Sequence, residues 1–162
     1  WGSTMQFFFD NTGVGEDGAT YQQFNCRIDS YKQGEDGNKF QASCWPNVQG
    51  PEFAKVDEWF HVARTYDAAT GAWKVYVDGV QTHDGVHEFG DPAGPFGDLD
   101  LTSPTMNALY IGGWAAIIDG VNNMDWMTFF NGSVDEVRMY NRALTDQEIG
   151  QLWQQEKLIN LE

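Results

Sequence analysis

The sequence predicts an all-β antiparallel domain with a short C-terminal helix, and three observations carry that prediction. Aromatic residues make up 15% of the 162 residues, and the 18 glycines are spread as turn punctuation rather than gathered in a linker. That mixture suits strands joined by many tight corners. Alternation is clear along Trp73-Lys-Val-Tyr-Val-Asp78, where Trp73, Val75 and Val77 point one way and Lys74, Tyr76 and Asp78 the other, the pattern of a half-buried strand. The third observation is a helix signal near the end: Thr145-Asp-Gln-Glu148 is a capping box, flanked by Leu144 and Ile149 where a hydrophobic staple would place them. At this length residues 1–162 suit one domain with a sizeable core.

Taken in order, Thr4 to Asp10 reads as a strand and Asn11 to Gly18 as a loop rich in glycine and acid. A hairpin follows, out along Tyr21 to Tyr31, turning through Gln33 to Asn38 and returning along Lys39 to Trp45. Cys26 and Cys44 are equidistant from the centre of that turn at Glu35. Directly opposed cysteines on antiparallel strands fall within disulfide range, so a Cys26–Cys44 bridge and an oxidising compartment are expected; the alternative is two buried free thiols. Glu58 to Tyr66 is the next strand, and Asp67-Ala-Ala-Thr-Gly71 closes a hairpin onto Trp73 to Asp78. The segment from His83 to Pro104, rich in Gly, Pro and Asp, reads as a surface excursion around one short strand at most. Leu109 to Trp114 and Ser133 to Tyr140 read as the last two strands, and Asp146 to about Lys157 as the helix, with Leu152 and Trp153 continuing its apolar face.

Two blocks carry a family resemblance. One is Leu109-Tyr-Ile-Gly-Gly-Trp114, a polar loop, and then Phe130-Asn-Gly-Ser-Val-Asp-Glu-Val-Arg-Met-Tyr-Asn-Arg-Ala-Leu-Thr-Asp-Gln-Glu-Ile149; the other is Glu58-Trp-Phe-His-Val-Ala-Arg-Thr-Tyr-Asp67 followed by Thr70-Gly-Ala-Trp-Lys-Val-Tyr-Val-Asp-Gly79. Together they resemble the laminin-G-like, concanavalin A-like lectin and glucanase superfamily, whose architecture pentraxins share. The resemblance implies an antiparallel jelly-roll β-sandwich. It also implies that strands usual in the family ahead of Trp1 are missing, and a chain starting at Trp1 rather than Met is expected to be a processed product or excised domain. Ser133 to Tyr140, which pairs with a leading strand in that family, would then take its partner from another chain or from a missing N-terminal segment.

Charge narrows the ligands. With 24 acidic residues against 9 basic ones the net charge is −15, which argues against nucleic acid and anionic membranes, since both require a cationic footprint. Solubility in a salty or extracellular setting accounts for this charge more simply than a dedicated cation site. No apolar run is long enough to insert in a membrane.

Enzymatic chemistry finds little support. The superfamily's retaining glycosidases use an alternating Glu-x-Asp-x-x-Glu strand to flank the scissile bond, and Val134-Asp-Glu-Val-Arg-Met-Tyr140 lacks that spacing. No Gly-x-Ser-x-Gly nucleophile motif is present. His83 and His87 could chelate a metal only from a tight loop, and His61 shares no helix face with them. Calcium is the cofactor to weigh. Where pentraxins place acidic ligands this chain has Trp114, Ala115 and Ala116, so a site would be relocated to Asp119, Asn122, Asn123 and Asp125, or to Asp10, Asn11, Glu16 and Asp17. Asp135 alternates with Val137 and Met139, which would aim it at the apolar face, where a carboxylate requires partners: loop amides, Arg142 or a metal. Asp119, Asp125 and Asp135 are therefore the metal candidates. For sugar stacking with polar groups nearby, Trp114, Asn122, Asn123, Asp125 and Trp126 share one loop. The resulting expectation is a non-catalytic, secreted or cell-surface module that binds a glycan or an extracellular protein. The alternatives are a structural subunit of an extracellular filament, layer or complex, and, third, a domain associated with a glycoside hydrolase.

Overall fold

The structure is a computed structural model that describes residues 4–14, 18–33, 39–43, 56–86, 88–89, 94–95, 111–112 and 129–159. These hold two three-stranded antiparallel sheets, a two-stranded pair and one helix. The first sheet is β1 (Thr4–Val14), β2 (Thr20–Gln33) and β3 (Lys39–Ser43), in that order. β1 outruns its expected end at Asp10, because the ladder with β2 is interrupted between Phe9 and Thr12 and then resumes as far as Val14 opposite Thr20. Such a bulge bends a strand without ending its pairing.

The β2–β3 ladder sets Gln33 opposite Lys39 and Asp29 opposite Ser43, so it is centred on residue 36. Direct opposition of Cys26 and Cys44 requires a centre at residue 35. Cys26 faces Phe7 of β1 in the register, and Cys44 lies outside the described residues.

The second sheet is β4 (Val62–Tyr66), β5 (Ala72–Val77) and β6 (Val80–Val86). The β4–β5 turn forms where expected. Asp67 Oδ1 accepts from the amides of Ala69 and Thr70 at 2.8 and 3.3 Å, the Gly71 amide donates to Asp67 O at 2.7 Å, and Gly71 sits at φ +73. The β5–β6 turn is Asp78-Gly79, with φ of +50 and +75 at its two central residues, the mirror-image turn whose twist suits a tight hairpin. β6, together with β7 (Glu88–Phe89) paired to β8 (Gly94–Pro95), shows that the chain after Asp78 is more strand-rich than the sequence reading allowed. Asp-Gly between β-formers was the signal for that hairpin.

β5 is the centre of the core, and it is buried on both faces rather than half-buried. Val75 packs with Phe60, Val62 and Trp73 on one side. Tyr76, on the other, packs with Leu144, Ile149, Ala63 and Leu152. The cover on the second side is α1 (Asp146–Ile159) and the turn leading into it. A Tyr ring and a Lys stem are amphipathic, so positions that read as the polar side of a strand can still lie under a helix.

Three expected strands change. β4 begins at Val62, not Glu58. Ile111 and Gly112 form a bend with Gly112 at φ +77, and Gly112 O accepts from the Phe130 amide at 2.9 Å; the rest of Leu109 to Trp114 lies outside the described residues. Ser133 to Tyr140 is no strand: it joins no ladder among the described residues, all eight side chains are exposed, and Glu136 at φ +51 breaks the extended run. Alternation alone cannot make a strand, because its backbone donors and acceptors need a neighbour.

Candidate functional site

A candidate cleft among the described residues is an open hollow of about 460 Å³ between the β4–β5 hairpin and the start of α1. Thr65, Asp67, Lys74, Thr145, Asp146 and Gln147 supply its polar lining. Lys74 and Tyr76 alternate with Val75, so both reach the helix side of β5. There Lys74 Nζ and the Tyr76 hydroxyl each donate to Asp146 Oδ1 at 2.7 Å. These two bonds hold the Asp146 carboxyl below its ordinary pKa, and burial, together with the bond to Asp146, pushes the Tyr76 phenol upward.

The capping box forms as expected. Thr145 Oγ1 accepts from the Glu148 amide at 3.3 Å, and Glu148 Oε2 accepts from the Thr145 amide at 2.8 Å. Arg142 grips the same carboxylate with Nη1 and Nη2 at 2.9 and 2.6 Å, and these bonds, Arg142 first, bring the Glu148 carboxyl down to about 2. Leu144 and Ile149 are buried, completing the staple. In the cleft Asp67 caps its own turn and Asp146 is bound twice, while Glu148 holds the cap of the helix beside it. This arrangement fastens a helix onto a sheet.

Further along α1, Trp153 lies against the β5–β6 turn, and its ring centroid is 6.0 Å from that of His61. Glu156 joins His61 Nε2 at 3.6 Å and Arg138 Nη1, while Arg138 Nη2 is 2.6 Å from Glu136. Burial lowers the His61 pKa against the opposing pull of Glu156 and Asp78.

Most of the sequence-predicted site falls outside the described residues. Trp114, Asp119, Asn122, Asn123, Asp125 and Trp126 lie outside the described residues, as do Glu16, Asp17 and His87. Asp135 is described, and the expectation for it is corrected: it is exposed, and its Oδ1 accepts from the Glu136 amide at 2.8 Å. Because 133–140 is not a strand, alternation does not aim Asp135 into the core, and Arg142 serves Glu148 instead. Among the described residues no group of three potential metal ligands occurs, and no helix is long and apolar enough to cross a membrane. Sequence reasoning missed the Lys74–Asp146–Tyr76 contact and the His61–Trp153 contact. The shared side of Lys74 and Tyr76 was legible; their partner, about seventy residues on, was not.

Antiparallel sheets, one with a capped helix fastened to it, make up the described residues and fit an all-β domain. The chain belongs to the concanavalin A-like lectin/glucanases superfamily, whose family model matches residues 2–150. No curated protein matches the sequence. A solved structure of an S-layer domain-containing protein (residues 221–444) from Clostridium thermocellum is similar at 16% identity and a TM-score of 0.43, over 93% of this chain and 64% of that one. This chain therefore spans a little under two thirds of that relative.

Proposed function

We propose that the chain is a non-catalytic recognition module, a jelly-roll β-sandwich displayed outside the cell that binds a glycan or an extracellular protein. Membership of the superfamily over residues 2–150 is the observation that carries this reading. Two features of the residues support it. The sequence from Trp114 to Phe129 concentrates indoles, amides and carboxylates suited to a sugar face, while the family's paired-carboxylate spacing is missing from 133–140. Calcium bound through Asp119 and Asp125 would fit the same stretch of sequence. Stacking and a few hydrogen bonds give weak single-site affinity, micromolar to millimolar, or about −8 to −4 kcal/mol, so firm adhesion would come from multivalent display.

The test is titration of a broad oligosaccharide panel, with and without calcium, against the parent and a Trp114→Ala, Asp125→Ala double variant, with reducing-end release followed in parallel. Binding by the parent, its loss in the variant and no hydrolysis support the module. Sugar release would overturn the non-catalytic reading, and unchanged binding would move the site. A second reading, a subunit that pairs with further copies of itself, is favoured by Val134, Val137, Met139 and Tyr140, which are about half exposed on a segment without a ladder among the described residues. Sedimentation that shows concentration-dependent assembly without sugar, alongside an empty glycan panel, would select it.

A further inference from the structure

His61 sits where three parts of the chain meet. Its backbone is locked to the β5–β6 turn by a reciprocal pair of bonds: its amide donates to Asp78 Oδ1 and its carbonyl accepts from the Asp78 amide, both at 2.9 Å. Its ring is 15% exposed and tilted by 32° against Trp153 of α1. Trp153 in turn covers Gly79 so closely that a Cβ there would lie 2.8 Å from Trp153 Cδ1. The imidazole is thus in the wall against which the C-terminal half of α1 is seated.

We propose that His61 is a proton-operated latch: as a neutral ring it lets Trp153 and the second half of α1 seat on the β5–β6 turn, and as an imidazolium it loosens that seating. The charges facing the ring come from each element around it. Glu156 on α1 and Asp78 on the turn favour the imidazolium, whereas Arg138 from the 133–140 segment opposes it. Glu156 is 12% exposed and already shares its charge with Arg138, which is itself bound to Glu136. Lys157 Nζ lies over the Trp153 ring, 5.6 Å from its centroid, adding a second cation nearby. His61 Nδ1 is buried and has no hydrogen-bond partner among the described residues, so a proton added there would find no acceptor. Burial outweighs the two carboxylates and holds the ring below its ordinary value of 6.5. The unfolded or undocked chain therefore binds more protons than the seated one. Seating is complete above pH 6.5 and weakens as the pH falls below it.

Only the second half of the helix should respond. The first half is fastened independently by the capping box, Leu144, Ile149 and the Asp146 bonds, and the Asp146 and Glu148 carboxyls are both held below their ordinary values. The experiment uses the full chain and two readouts between pH 7.5 and 5: the His61 imidazole followed by NMR, and amide hydrogen exchange along α1 corrected for intrinsic rates. A His61 resonance that titrates below 6.5, with protection of residues 151–157 falling by up to about tenfold for each unit of pH below 6.5 while residues 146–150 hold, is the expected result. His61→Gln should abolish the pH dependence and leave protection at its high-pH level. Glu156→Gln should lower the His61 pKa further and Arg138→Met should raise it, and these opposite shifts keep the proposal testable if His61→Gln folds poorly. Titration at or above 6.5, an equal loss of protection along the whole helix, or the same pH response in His61→Gln would each overturn the latch.

Discussion

Replacing Gly79 with alanine separates two physical costs that usually arrive together. Gly79 has φ +75, a left-handed conformation that costs an L-residue about 1–2 kcal/mol. Its added methyl would also meet Trp153, at 2.8 Å from Cδ1, 3.0 Å from Cβ and 3.1 Å from Cγ. Cβ is the root of that side chain, so a rotamer change cannot relieve the contact, and the helix itself has to move. Overpacking of this kind costs about 1–3 kcal/mol, which brings the expected loss to about 2–5 kcal/mol. Gly18 is the internal control: it has nearly the same φ, +78, and nothing within 4 Å of the added Cβ. Gly18→Ala should therefore carry the conformational part alone. Urea unfolding of both variants gives the packing part as their difference, and at about 2–4 °C per kcal/mol the same difference should be visible in thermal midpoints. A Trp153→Ala background should reduce the excess at Gly79 by removing the Cδ1 and Cγ contacts while the 3.0 Å approach to Cβ remains, and leave Gly18→Ala unchanged. Equal losses at Gly79 and Gly18 in the parent would refute the close seating of α1 on the turn.

Truncating Ile149 to alanine should cost about 2–5 kcal/mol and trimming it to valine about 0.5–1.5, because it is 3% exposed between Tyr76 and Leu144; chemical denaturation measures both. Thr145→Ala should cost about 1 kcal/mol and lower α1 helicity by circular dichroism, through loss of one half of the capping box. Acid should weaken the same cap. The folded Glu148 carboxyl, at about 2, lies below its ordinary 4.5, so its stabilisation is complete above pH 4.5 and is lost as the pH falls from there towards 2. Thermal midpoints of Glu148→Ala should accordingly fall less steeply than the parent's across that window.

What lay within a few residues was legible in the sequence. The capping box, the staple, the Asp67-to-Gly71 turn and the β2–β3 hairpin each depend on side chains bonding to a backbone close by, or on alternation along one strand. The family itself was legible for the same reason, since its two blocks are contiguous. What depended on distant partners was not. Ser133 to Tyr140 alternates like a strand and joins no ladder among the described residues, because a ladder is made by a neighbour that the segment does not encode. Asp135 consequently faces water instead of the core. Tyr76 read as the outward side of β5 and is buried, because α1, which follows some seventy residues later, lies across it. His61 carries no motif at all; its environment exists only where β4, the β5–β6 turn and α1 meet. The sequence by itself determined the local pieces and the family, through short-range hydrogen bonding and hydrophobic period. Only the tertiary structure decided which faces are covered and which titratable groups are buried, because burial is a property of surfaces brought together by the fold and not of the residues that line them.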